Sequence, residues 1–142
     1  MIQMSNLNFD VFNYQNRTAH MFTNTKFTIV YNGEDSFSKE ALAYVNILSG
    51  QIKKYDTSKN PLSISFLKDM LLRLKLPAKD VIISESSFTK RFENQLDTYK
   101  EEDYLKLLHL HPELLKTPII LTESKAYIIH DKADIFEMQS IS

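Results

Sequence analysis

The sequence predicts a mixed α/β domain, an α+β arrangement in which a four-stranded sheet, part parallel and part antiparallel, is flanked by helices. Three observations predict it. A β-branched and aromatic run at 27–31 and a second strand pattern at 51–56 bracket a helical pattern, and strand-helix-strand requires a crossover that leaves the two strands parallel. Two further apolar runs, 118–121 and 126–129, are separated by Thr122-Glu123-Ser124-Lys125, the pattern of an antiparallel hairpin with a polar loop. The 142 residues, 43% hydrophobic and 25% charged, make one domain's worth of sequence. A chain of that size buries roughly two thirds of its unfolded surface around one core.

Residues 1–25 are polar and aromatic without a sustained period, which predicts an N-terminal extension to a folded domain over 26–142. Phe27-Thr28-Ile29-Val30-Tyr31 reads as a buried strand closed by a turn at Asn32-Gly33. Ser36 then caps a helix in which Phe37, Ala41, Val45 and Leu48 recur at spacings of four, four and three, one helix face, up to a stop at Gly50. After the strand at Gln51–Asp56, Asn60-Pro61-Leu62-Ser63 supplies turn and capping chemistry for a helix carrying Ile64, Leu67, Met70, Leu71 and Leu74 on one stripe.

Pro77 opens a further short helix, and Ser84–Phe92 reads as a loop with some helical turns. Thr98-Tyr99-Lys100-Glu101 fits a capping box, after which Tyr104, Leu107, Leu108 and His111 continue a helical face to Pro112. The hairpin follows, and the segment from Asp131 has the pattern of a last helix bearing Ile135, Phe136 and Met138.

Composition excludes several chemistries. Gly33 and Gly50 stand alone, so there is neither a GxxxxGK[ST] phosphate loop nor a GxGxxG fingerprint. The chain has no cysteine, which removes disulfides, thiolate metal sites and any thiol nucleophile. A formal charge of −1 leaves no electrostatic footprint for nucleic acid. No apolar run approaches a membrane span, and the expectation is a soluble, cytoplasmic protein without membrane or nucleic-acid partners.

Three segments, in order, resemble the arsenate reductase family of the thioredoxin-like fold, which also includes the Spx-type regulators. Ile29-Val30-Tyr31-Asn32-Gly33-Glu34-Asp35-Ser36-Phe37-Ser38 resembles the family's strand, Asn-Pro, then Cys-x-x-Ser or Cys-x-x-Cys at a helix start. Asn60-Pro61-Leu62-Ser63 leads into a helix as the family's Pro-Pro-Ser segment does. His111-Pro112-Glu113-Leu114-Leu115-Lys116-Thr117-Pro118-Ile119-Ile120 resembles the His-Pro-x-Leu-x-x-Arg-Pro-Ile-Val signature. The resemblance implies a thioredoxin-like sheet, a cis Thr117-Pro118 bond, and a cleft between the two ends of this pattern.

The resemblance also identifies what is replaced. Asp35 stands at the nucleophile position, and a carboxylate cannot attack arsenic or form a mixed disulfide. Thr117 stands where the family has an arginine, and His130 ends a strand near a second such position. The candidate site is therefore a degenerate cleft of Asn32, Asp35, Ser36, Ser38, Thr117 and Pro118, with no catalytic residue, no metal and no cofactor, and without an arginine to offset a bound anion. His109 and His111 lie two apart, and on a helix such rings diverge by about 200°, which disfavours a shared metal. Glu101-Glu102-Asp103 reads as a solvated, dipole-complementing first turn.

Two functions remain open at this stage. One is a non-catalytic binding or interaction module whose partner is a protein or small ligand. The other is a cysteine-independent enzyme, a transferase or isomerase, that uses a thiol cofactor such as glutathione in the same cleft.

Overall fold

The computed structural model describes residues 26–48, 51–83, 90–91, 96–131 and 133–134. The predicted extension at 1–25, the stop at Gly50, most of the 84–92 loop and the last helix with Ile135, Phe136 and Met138 lie outside the described residues. Strand β1 (Phe27–Tyr31) leads into helix α1 (Ser36–Leu48), strand β2 (Ile52–Asp56) and helix α2 (Ile64–Leu74). A 3-10 turn at Ala78–Val81 precedes helix α3 (Glu101–Leu110), a second 3-10 turn at Pro112–Leu114, and strands β3 (Ile119–Leu121) and β4 (Ala126–Ile128).

The sheet order is β2-β1-β3-β4, with β1 parallel to β2 and antiparallel to β3, and β3 antiparallel to β4. The parallel pair joined by a helical crossover and the antiparallel hairpin are both as the sequence predicts. Register sends alternate residues of β1 to opposite faces. Phe27 and Ile29 pack with Ala41, Val45, Ile120 and Ile129 beneath α1. Val30 joins Ile119 and Leu121 in the larger cluster, with Leu67, Met70 and Leu71 of α2 and Leu105, Leu107 and Leu108 of α3.

Ser63 caps α2 as its position predicts, its hydroxyl accepting the Phe66 N–H at 3.0 Å. The helix ends at Lys75, which takes the left-handed conformation (φ 60°) usually given to glycine and donates its N–H to Leu71 O at 2.8 Å. The start of α3 differs from the Thr98–Glu101 box. Lys100 is the cap residue, and the Asp103 carboxylate accepts its N–H at 2.9 Å. Glu101 instead turns outward across the fold, where both carboxylate oxygens lie 3.2 Å from the Ala78 N–H at the start of the 3-10 turn. Two of the three first-turn acids therefore satisfy backbone donors, where the sequence reading had them all as a solvated face.

Candidate functional site

The β1–α1 connection is built from short-range hydrogen bonds that its sequence supplies. Asn32 Oδ1 accepts the Glu34 N–H at 2.9 Å, and its carbonyl accepts the Asp35 N–H at 3.0 Å, a side-chain turn that sets the chain at the helix entrance. Asp35 is the residue that caps α1: its carboxylate accepts the Ser38 N–H at 2.9 Å and its carbonyl accepts the Lys39 N–H at 3.1 Å. The cap thus falls one residue before Ser36, which is the first residue of the helix. A carboxylate at this point both satisfies a free N–H and faces the positive end of the helix dipole.

Ser38 is fully buried, and its hydroxyl donates to Thr117 Oγ1 at 3.4 Å, a long contact that joins the α1 start to the loop before β3. The Thr117-Pro118 bond is cis, as the resemblance implies. This loop is held by pairing with the chain that follows the first 3-10 turn. Lys116 N–H donates to Val81 O at 2.7 Å and Ile83 N–H to Leu114 O at 2.8 Å, around an Ile82–Leu115 bridge.

Between these two walls lies a cleft of about 510 Å³, with Asn32, Asp35 and Phe37 on one side and Lys116, Thr117 and His130 on the other. Of the candidate residues, Asn32, Asp35 and Thr117 line it, Ser38 is buried beneath it, and Ser36 and Pro118 are not among its lining residues. Lys116 was not among the candidates. With His130 it gives the cleft two basic side chains in place of the family's arginines, and among the described residues no carboxylate forms an ion pair with either.

Asp56 is a second residue that sequence reasoning missed. The β1–β2 register sets it opposite Tyr31, under the turn, where its carboxylate accepts the Gly33 N–H at 2.8 Å, the Ser58 N–H at 2.9 Å and the Ser58 hydroxyl at 2.6 Å. Burial raises the Asp56 carboxyl. The bonds from the Ser58 hydroxyl, Gly33 and the Ser58 backbone, with the charge of Lys59, outweigh it and hold the group below the usual aspartate value. Burial, and then the Asp56 charge, push the Tyr31 phenol up. Gly33 is required here for close approach, because a Cβ would stand 2.9 Å from Asp56 Cγ and closer still to its oxygen; its φ is not positive.

Chemically, this cleft holds no nucleophile to carry a thiol reaction, and the N–H of Ser38 that would meet an anion is already bonded to Asp35. Two histidines are engaged away from the cleft: His109 Nδ1 lies 2.6 Å from Leu62 O, and His111 ends α3, its N–H on Leu107 O at 2.7 Å and its ring 3.3 Å from Glu113. Among the described residues no group of three His, Asp or Glu side chains is placed to hold a metal ion. No helix among them is long and apolar enough to cross a membrane.

Comparison with known proteins agrees with this geometry. A putative arsenate reductase from Yersinia pestis superposes with a TM-score of 0.70 at 25% identity, covering 78% of this chain and 98% of that one. Arsenate reductase from Vibrio cholerae gives 0.71 at 18% identity over 80% of this chain and 97% of its own, a likeness of fold. In sequence, the Global transcriptional regulator Spx 2 of Oceanobacillus iheyensis is 32% identical over 100 residues, 70% of this chain and 67% of that protein. Residues 31–138 match the ArsC family, and with the thioredoxin-like sheet and the cleft beside a cis-proline, the chain belongs to the ArsC family.

Proposed function

We propose that this chain is a non-catalytic member of its family that works by binding, and that its partner is a protein. One observation carries the reading: a chain with no cysteine has an aspartate at the position of the family's nucleophile, and that aspartate's carboxylate is engaged in closing the helix. A group that accepts a backbone N–H at 2.9 Å has a structural task already, and a carboxylate offers neither the nucleophilicity nor the redox chemistry of a thiolate. The relative named as a global transcriptional regulator supports a regulatory protein–protein contact as the form this binding takes.

The cleft, with Lys116 and His130 facing it, favours a second reading in which an anionic small molecule or a thiol cofactor binds there. Turnover and thermal stability separate the two. Arsenate with glutathione and glutaredoxin is expected to give no turnover above the enzyme-free blank. Glutathione, phosphate and arsenate are each expected to leave the melting temperature unchanged. A ligand at a hundred times its dissociation constant would add ~2.7 kcal/mol of stability, so a clear upward shift with glutathione would replace the protein-partner reading by the small-ligand one. Transcript profiles of the host with and without the gene test the regulatory form directly, and identical profiles overturn it.

A further inference from the structure

We propose that the groove between α2 and α3 is a docking surface for a second copy of this chain, forming a two-fold dimer. The groove is on the helical layer, away from the cleft, and encloses about 520 Å³. Its floor is apolar, built from Leu71 and Leu105, which are 5% and 3% exposed. On its α2 edge stands Leu72, a leucine in the last turn of the helix that is 77% exposed. A large apolar side chain left in water beside an open apolar groove marks an interaction surface.

Charge decides the occupant. Lys68, Leu72 and Lys75 recur at i, i+4 and i+7, so two lysines about 10 Å apart along the helix flank the exposed leucine on one edge. The opposite edge carries Glu101, with exposed Glu102 beside it, at the start of α3. A uniformly acidic or basic partner meets like charge on one edge. A second copy related by a two-fold axis running along the groove does not, because that rotation exchanges the edges and sets the lysines of each copy against the glutamates of the other. The same rotation lays each Leu72 against the other copy's α3 edge, where the interface removes its apolar surface from water.

Sedimentation velocity of the full chain over a wide concentration range tests this. The expected result is a monomer–dimer equilibrium that weakens with added salt, since the exposed charge pairs are screened. Leu72→Asp is expected to weaken association roughly tenfold or more. The double variants Lys68→Glu/Lys75→Glu and Glu101→Lys/Glu102→Lys are each expected to be monomeric alone and to associate when mixed, because mixing restores opposite charge at both edges.

A chain that stays monomeric throughout, a dimer indifferent to Leu72→Asp, or folded double variants that fail to associate on mixing each overturns the proposal. Glu101 also bonds Ala78, so if its variant loses native far-UV circular dichroism, Leu72→Asp and the salt dependence decide. Leu72→Cys introduces the chain's one thiol. Slow alkylation of that thiol in dilute, monomeric protein would show that a segment of the same chain covers the groove, which also overturns the proposal.

Discussion

The two walls of the cleft are built on opposite principles. The wall from Asn32 to Ser38 spends its polar groups internally: Asn32 bonds Glu34, Asp35 bonds Ser38, and Gly33 bonds Asp56. The facing wall is fixed through its backbone, by Lys116 N–H to Val81 O and His130 N–H to Asp134, while its cationic side chains are left to line the cleft. Stability should therefore be sensitive to side chains on the first wall and indifferent to the cationic side chains on the second. Recognition, where the cleft takes part in it, should show the reverse.

The largest effect is expected where the first wall is most densely bonded. Asp56→Ala removes an acceptor of three hydrogen bonds and leaves the Gly33 N–H without its partner, a loss of about 2 kcal/mol in chemical denaturation. Gly33→Ala should cost about 1–3 kcal/mol by forcing a Cβ against the same carboxylate. If both variants keep the parent's midpoint, the bonding of this wall does not stabilise the fold and the contrast between walls fails.

Acid sharpens the same point. The Asp56 carboxyl is held below its ordinary value in the folded chain, so its contribution is fully present above the unfolded value, about 3.9 for an aspartate. As the pH falls through that value the unfolded chain takes up the proton first, and stability declines until the folded carboxyl is also protonated. Asp56→Asn should lack this part of the acid transition, giving a shallower loss of stability below about pH 4 than the parent. Parallel curves for parent and variant would remove Asp56 as its source.

Asp35 comes next, at about 1 kcal/mol for Asp35→Ala, with most of the loss recovered by Asp35→Ser because a hydroxyl can accept the same N–H. Equal stability in all three chains would show that the cap does nothing for the helix, and the structural explanation of this aspartate would go with it.

What was legible in the sequence divides along the range of the interactions. The strands, the parallel pairing, the Ser63 cap and the cleft itself follow from patterns within a dozen residues or from an order of motifs. Apart from the α1 cap, which falls on Asp35 one residue before Ser36, the errors are long-range. Thr98–Glu101 has the spacing of a capping box, yet Glu101 serves Ala78, 23 residues earlier, and only the packing of α3 against the first 3-10 turn brings them together. Asp56 looks like any strand-ending aspartate until register sets it opposite Tyr31 and beneath Gly33; the signal was there in an isolated glycine directly after a strand, which implied that something approaches closely. Lys116 was overlooked because the direction of a loop side chain is set by the bridge between Ile82 and Leu115, which no local pattern encodes.

The smallest effect is expected on the second wall, and it is the sharpest test of the comparison. Lys116→Ala and His130→Ala should each stay within about 0.5 kcal/mol of the parent, because the bonds that fix their positions use backbone N–H groups that alanine keeps. An indifferent result alone would also arise if a favourable contact with Asp35 across the cleft offset the cost of placing Lys116 there. A double-mutant cycle separates these cases. With Asp35 committed to the Ser38 N–H, the coupling between Asp35→Ala and Lys116→Ala should not exceed about 0.5 kcal/mol. A larger coupling would mean that carboxylate and ammonium stabilise one another across the cleft. The two walls would then act as one structural unit, and the cations would be part of the scaffold with no charge left over for a ligand.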